Sequence, residues 1–379
     1  MNVKLWTAVT VLIVILAGTG VYLTNHQPET ADRAEIIAMV NEDGSGIFAS
    51  NEKAGLTLDV ASAPLWNDLI IATPGPSSIQ HMMIMSFITG VLGYKFVLAG
   101  TDSGHAAETV YYTAVAPAQM QEFLKEGKIQ AGIAWEPIYS AIINDSSTHT
   151  YSVCDSKELW NAAGYSGDHP CCVLVANRAY VESHSNEVLR FLSAYVASVK
   201  WVNNAIDNGG EDYQKLVNYV KSYTVITNEL TIGEALKNVR YVYSDTSLNA
   251  DVVDMIKTYE NLGLLKNTMS DMGFASEEAF ADWLINYSYV NQAAGKTPAD
   301  YSRLSDTLTL RVGVLANDVH QIALHVGIGE GIFAAYGVNV ETGAPFSVGG
   351  DVVNAVLSGQ LDIGLAGAPP TILNSVNNW

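Results

Sequence analysis

The sequence predicts an α/β protein large enough for two domains. Three observations carry that expectation. At 379 residues the chain has room for two units of ordinary size. From Asp68 to Asn177 it repeats short apolar runs, tight Gly- or Pro-bearing turns and stretches with helical spacing. After a long block of mostly helical periodicity, the same grammar resumes at Leu308.

The elements follow in order. Leu5 to Leu23 is uncharged and follows a lone Lys4, the pattern of a signal peptide or a single membrane span, and we read it as an uncleaved anchor. Thr19 stands where a lipoprotein site needs Cys, so lipid attachment has no support. A polar linker runs to Asp32. RAEIIAMVNEDGSGIFAS then reads as strand, Gly-rich turn and strand, and DLIIATPG leads into the helical spacing of SSIQHMMIMSFITGVLG. ETVYYTAVA is strand-like, PAQMQEFLKEG a short helix opened by Pro117 and closed by Gly127, and IQAGIAWEP another strand. This alternation predicts a parallel sheet. CCVLVANRAY precedes a helix, NEVLRFLSAYVASVKWVNNAI, and residues from about Glu211 to about Asn286 read as mostly helical. VNQAAGKTPADYSRLSD is polar, with Pro298, and reads as a linker. Beyond it, TLRVGVLAN, VNVETGAPF and LDIGLAGA are strands separated by the helices HQIALHVGIGEGIFAAYG and DVVNAVLSGQ, and PPTILNSVNNW opens a further helix.

Charge and cysteine usage narrow the function. Nineteen Lys plus Arg stand against 39 Asp plus Glu, a net charge of -20 that repels phosphate backbones, so nucleic acid is not an expected partner. Three cysteines exclude a disulfide-dense scaffold. Cys171 and Cys172, adjacent in a strand, are expected on opposite faces and thus poorly placed to share a metal. Asp168, His169 and Cys154 nearby keep a metal cluster open beside the reading of CCVLVA as buried strand. No metal or cofactor is expected.

Five segments, LRVGVLANDVHQIALHVGIGEGIFAAYGVNVE, GDVVNAVLSGQLDIGLAGAPP, ATPGPSSIQH, GKIQAGIAWEP and HPCCVLVANRAYVE, resemble the SsuA/NMT1-like substrate-binding proteins of nitrate, taurine, sulfonate and pyrimidine-precursor importers. The resemblance implies a type II periplasmic-binding-protein-like α/β fold, two lobes joined by a hinge around a ligand cleft. It also implies a circular permutation, because the LRVG and GAPP segments, first in that family, stand last here. A truncated tandem array and an exchanged dimer are the alternatives. On this reading residues 1–32 are anchor or signal and linker, 33–60 part of lobe 1, 61–185 lobe 2, 186–290 a helical return to lobe 1, 291–306 a linker and 307–379 the remainder of lobe 1.

In open α/β sheets, ligands lie beyond the carboxyl ends of strands, where helix N-termini present free N–H groups and partial positive charge. Three turns have that composition. ATPGPSSIQ offers Thr73, Ser77 and Ser78, with the serines reading equally as helix caps. AGAPPT offers Gly367, Ala368, Pro369 and Thr371. LANDVHQ offers Asn317 and His320, the latter open between helix surface and ligand contact. Trp135 and Glu136 supply a stacking face and an acceptor, with a buried Trp as the alternative. Asn41 and Ser45 lie near the lobe crossing, and Gly349 permits close backbone approach. Glu42, Glu136 and Asp318 together argue against a simple small anion as the solute.

The resulting expectation is an extracytoplasmic solute-binding protein, membrane-held by its N-terminal helix, that serves an ABC transporter permease and is not an enzyme. The alternatives are the pyrimidine-precursor synthase of thiamine biosynthesis, which shares the fold and finds only a partial echo in His169-Pro-Cys171-Cys172, and a membrane-tethered sensor. Catalytic signatures fail elsewhere: GIGEGI lacks the third Gly of a dinucleotide loop, and no G-x-S-x-G or H-E-x-x-H occurs.

Overall fold

Ala34–Asp43 is apolar on successive residues rather than alternate ones, and it forms a strand buried on both faces. This is β1 of a computed structural model that describes residues 33–101, 106–303 and 306–379. With β8 (Pro170–Asn177), β9 (Val239–Tyr241), β10 (Leu308–Gly313), β11 (Val338–Glu341) and β12 (Ile363–Gly367) it builds one sheet in the order β11-β10-β12-β8-β1-β9. A second sheet, β4-β5-β3-β6-β2-β7, holds β2 (Ser45–Ser50), β3 (Ile70–Thr73), β4 (Lys95–Leu98), β5 (Thr109–Ala114), β6 (Ala131–Trp135) and β7 (Thr150–Asp155).

Both sheets are mixed: the expected parallel arrangement holds for β3, β5 and β6 and does not extend to every strand. β4, β5, β3 and β6 run parallel, but β2 is antiparallel to both of its neighbours. In the first sheet β10, β11 and β12 are parallel while β8, β1 and β9 are not. β1, β2 and β8 are the ones next to the crossings between sheets, and between β1 and β2 no helix intervenes to reverse direction.

Those crossings also move two expected boundaries. The chain leaves the first sheet at Gly44, whose φ of 90° suits a residue without a side chain, so β2 belongs to lobe 2 and not to a lobe 1 segment running to residue 60. It returns through residues 163–169, so β8 belongs to lobe 1 although it precedes residue 185. The two crossings are tied together: the Asp43 N–H donates to the His169 carbonyl at 3.0 Å, and the His169 N–H to Asp43 Oδ1 at 3.2 Å.

The helices that matter for the site are α1 (Ile79–Ser86), α2 (Ile138–Asn144), α3 (Ser185–Asn208), α4 (Glu229–Asn238), α5 (Gly349–Leu357) and α6 (Ala368–Asn377). α3 buries Val188, Phe191, Leu192, Tyr195, Val199 and Val202, the three-to-four spacing that its sequence shows. The segment after Leu308 and the segment from Arg33 share one sheet: Leu365 pairs with Leu174, and Leu174 with Ala38. Arg33 donates to the Asn378 carbonyl at 3.1 Å and lies 4.2 Å over the Trp379 ring. Among the described residues no helix is long and apolar enough to cross a membrane. The anchor expected at Leu5 to Leu23 lies outside them.

Candidate interlobe binding site

A partly open cleft lies between the sheets, at the carboxyl ends of several parallel strands. Lobe 2 supplies Pro74, Ser77, Ser78, Ile79 and Gln80 from the turn after β3, and Trp135 from the end of β6. Lobe 1 supplies Leu315, Asp318 and His320 after β10, Val348 and Gly349 before α5, Gly367 and Pro370 at the start of α6, and Cys171 and Cys172 from β8.

The first residues of α1 and α5, with Gly367 and Pro370 at the start of α6, line this cavity; α1 and α5 bring free N–H groups to it, while Pro369 and Pro370 leave α6 with its dipole but few donors. Close packing brings two of the ends together: a side-chain carbon on Gly349 would lie 3.0 Å from Pro370 Cγ and 3.4 Å from the Gly367 nitrogen. Ser78 caps α1 by accepting from the His81 N–H at 3.1 Å. Trp135 is only 9% exposed, and its indole N–H finds no acceptor among the described residues. A buried N–H of this kind calls for a partner brought from outside the fold.

Asp318 and His320 form a buried ion pair at 2.9 Å. Burial works against a charged imidazole, but the Asp318 carboxylate and the Cys171 sulfur beside it outweigh that and hold His320 well above its ordinary value. The other ring nitrogen, Nε2, lies 2.8 Å from the Gly44 carbonyl oxygen, an acceptor only, so Nε2 carries a proton. His320 thus connects the cavity wall with the crossing.

The sulfurs of Cys171 and Cys172 are 3.9 Å apart, on one side of the strand, which corrects the expectation of opposite faces. The cause is a register shift: Asn41 pairs with Cys172 while Glu42 pairs with Pro170, so Cys171 is an extra residue opposite β1. Such a bulge turns two successive side chains the same way. Asn41 holds it, accepting from the Cys172 N–H at 3.2 Å. Cys171 is pulled down to about 6, first by its contact with Cys172 and then by His320, with burial opposing.

Of the residues expected at the site, Ser77, Ser78, Trp135, His320, Gly349 and Gly367 line the cavity. The others do not. Thr73 is fully buried and bonded to His81 Nδ1 at 2.9 Å. Ser45 accepts from Gln80 Nε2 at 3.0 Å, one layer behind the wall. Asn41 holds the bulge, Ala368 and Pro369 are buried in α6, and Thr371 donates to the Gly367 carbonyl within that helix. Asn317 faces a neighbouring pocket with Pro117 and Ser347. Glu136 is a lobe-to-lobe tie: Oε1 accepts from Ser140 Oγ at 2.8 Å and from Asn238 Nδ2 at 2.7 Å, joining the start of α2 to the end of α4. Glu42 pairs with Arg240. The sequence reading missed Gln80 and gave the cysteines to the core.

Two sheets facing each other across a hinge, with helix N-termini around the cleft, define the class of type II periplasmic binding proteins. The chain belongs to the NMT1-like family, whose sequence profile matches residues 11–212. Among solved structures, the periplasmic nitrate-binding protein NrtA from Synechocystis PCC 6803 is similar at 19% identity and a TM-score of 0.51, over 70% of this chain and 69% of that one. The ligand binding component of an ABC-type import system from Staphylococcus aureus, with zinc bound, gives 13% identity, a TM-score of 0.45, and 70% and 75% coverage. The periplasmic aliphatic sulphonate binding protein SsuA from Escherichia coli gives 14%, 0.44, 66% and 75%. No curated protein matches the sequence.

Proposed function

We propose that this chain is an extracytoplasmic solute-binding protein of an ABC importer, held at the membrane by its N-terminal segment, and that it captures its solute between the lobes without chemical change. The observation that carries this reading is the convergence of three helix N-termini and an unpartnered indole N–H on one interlobe cavity. The similarity in fold to a periplasmic nitrate-binding protein supports it.

The solute carries an anionic group. Glu42 and Glu136, counted against an anion from the sequence, are committed to Arg240 and to Ser140 and Asn238, and Asp318 is offset by His320. The positive ends of three helices face the same wall. Sulfonates, taurine-like zwitterions, nitrate and acidic pyrimidines fit this description. We read the segment order as permuted relative to the importer proteins, with the shared sheet of β1, β8 and β12 as support.

A catalytic reading has less support. A thiol–imidazole nucleophile needs the thiol on one ring nitrogen and the orienting carboxylate on the other. Here Cys171 and Asp318 both face Nδ1, and Nε2 is taken by the Gly44 carbonyl. The test is mass spectrometry of small molecules released from the purified protein, followed by calorimetry with nitrate, taurine, an alkanesulfonate and a pyrimidine precursor. One-to-one binding of an anionic solute is the expected result, and no binding by any of these classes overturns the reading.

A further inference from the structure

We propose that Cys171 Sγ, Cys172 Sγ and His320 Nδ1 form a binding site for one thiophilic d10 metal ion, Zn(II) or Cu(I), in the wall of the interlobe cavity. This goes beyond the solute-binding reading and does not depend on it. The three side chains offer donor atoms that all lie within 4.8 Å of one another, with 3.9 Å between the sulfurs and 3.8 Å from Cys171 Sγ to Nδ1. A tetrahedral ion with metal–sulfur bonds of about 2.3 Å and metal–nitrogen bonds of about 2.0 Å has sulfur–sulfur and sulfur–nitrogen edges of about 3.8 and 3.5 Å. The two edges at Cys171 are therefore close to those of a coordination shell before any ion arrives, and Cys172 Sγ closes on Nδ1 as the ion binds.

Three further features fit. The bulge at Cys171 is what brings the two thiols to one side, and a regular strand would have separated them. His320 donates through Nε2 to the Gly44 carbonyl, the arrangement that fixes a ligating imidazole with its other nitrogen toward the ion. Asp318, 2.9 Å from that same nitrogen, adds negative charge beside the site and contributes no obligatory ligand. Two thiolates and a neutral imidazole suit Zn(II) or Cu(I) over hard cations, which prefer oxygen. Binding displaces to solvent the thiol protons and the His320 Nδ1 proton that faces Asp318, and three protein donors leave a position for a donor atom within the cavity.

The experiment uses the full chain purified with a thiol reductant, stripped of metal, and titrated separately with Zn(II) and Cu(I). One equivalent of at least one ion is expected, along with a thiolate-to-metal charge-transfer band when Cd(II) is the probe. C171S and C172S are expected to lose both the band and the stoichiometry, and C154S to keep them. Absorption spectroscopy at the metal edge of the unmutated protein is expected to report two sulfur ligands, a readout that holds even where a variant fails to fold. No stoichiometric metal, a shell of oxygen and nitrogen alone, a Cys171–Cys172 disulfide that persists in reductant, or wild-type binding by C172S each overturns the proposal. Solute binding by metal-free protein together with any of these outcomes leaves the importer reading intact. Metal binding with no organic solute does the reverse.

Discussion

The two walls of the cleft differ in kind. Lobe 2 contributes a neutral face of hydroxyls, an amide and an indole around one helix N-terminus, whereas lobe 1 contributes the ionisable groups: two thiols, a carboxylate and an imidazole. The neutral wall grips through directed hydrogen bonds and shape, and its own stability depends little on what it holds. The ionisable wall is itself a buried network in which each charge requires the next. A mutation there is felt first as a loss of fold, and a mutation across the cleft first as a loss of affinity.

The largest effect expected from that contrast is on lobe 1. H320A leaves the Asp318 carboxylate buried without its counter-charge, and a cost of about 3–5 kcal/mol is expected in urea denaturation. H320A/D318N is expected to recover part of it, and equal stabilities for the single and double variants would erase the contrast. Across the cleft, W135F keeps an aromatic ring, smaller than the indole, and removes the N–H, so solute affinity is expected to fall about tenfold in calorimetry, with a smaller loss of stability than H320A shows. Smaller again, S78A deletes the cap of α1, costing about 1 kcal/mol and loosening one of the three N-termini.

A further effect, spread over pH, separates hinge from lobe. Burial pushes the Asp43 carboxyl from 3.8 up to about 7, so the native state keeps a proton that the unfolded chain has lost. Its contribution therefore weakens stability as pH rises from about 4 through 7. Burial pushes His81 in lobe 2 from 6.5 down to about 4, so the unfolded chain takes up a proton first and stability falls as pH drops through that window. D43N, which preserves the acceptor for the His169 N–H, is expected to remove the first slope and leave the second in denaturation curves across pH. A D43N profile that matches the unmutated one would show that Asp43 does not titrate in this range.

How much of this was legible in the sequence depends on the reach of each signal. Helix and strand periodicity are local, so β3, α1, β6, α3 and the tail elements stand where their patterns put them. Membership of a sheet is not local: β1 and β2 are separated by Gly44 alone, and nothing in NEDGSG says that the two strands part company there. The strand-to-helix turns exposed Ser78, Gly349 and Gly367 because Ser, Gly and Pro at such turns follow from backbone geometry. Glu136 was misread because its partner Asn238 lies 102 residues away. The cysteine pair was misread because a bulge is set by the neighbouring strand, and the sequence of β8 does not record it.

The ladder between Asp43 and His169 has a mechanical consequence. Two separate tethers would let the lobes slide, twist and splay independently. Stitched side by side, they act as one strap, stiff against shear and soft mainly about the line along which it folds. Motion between the lobes is then confined to something near a single coordinate, like the cover of a book on its spine.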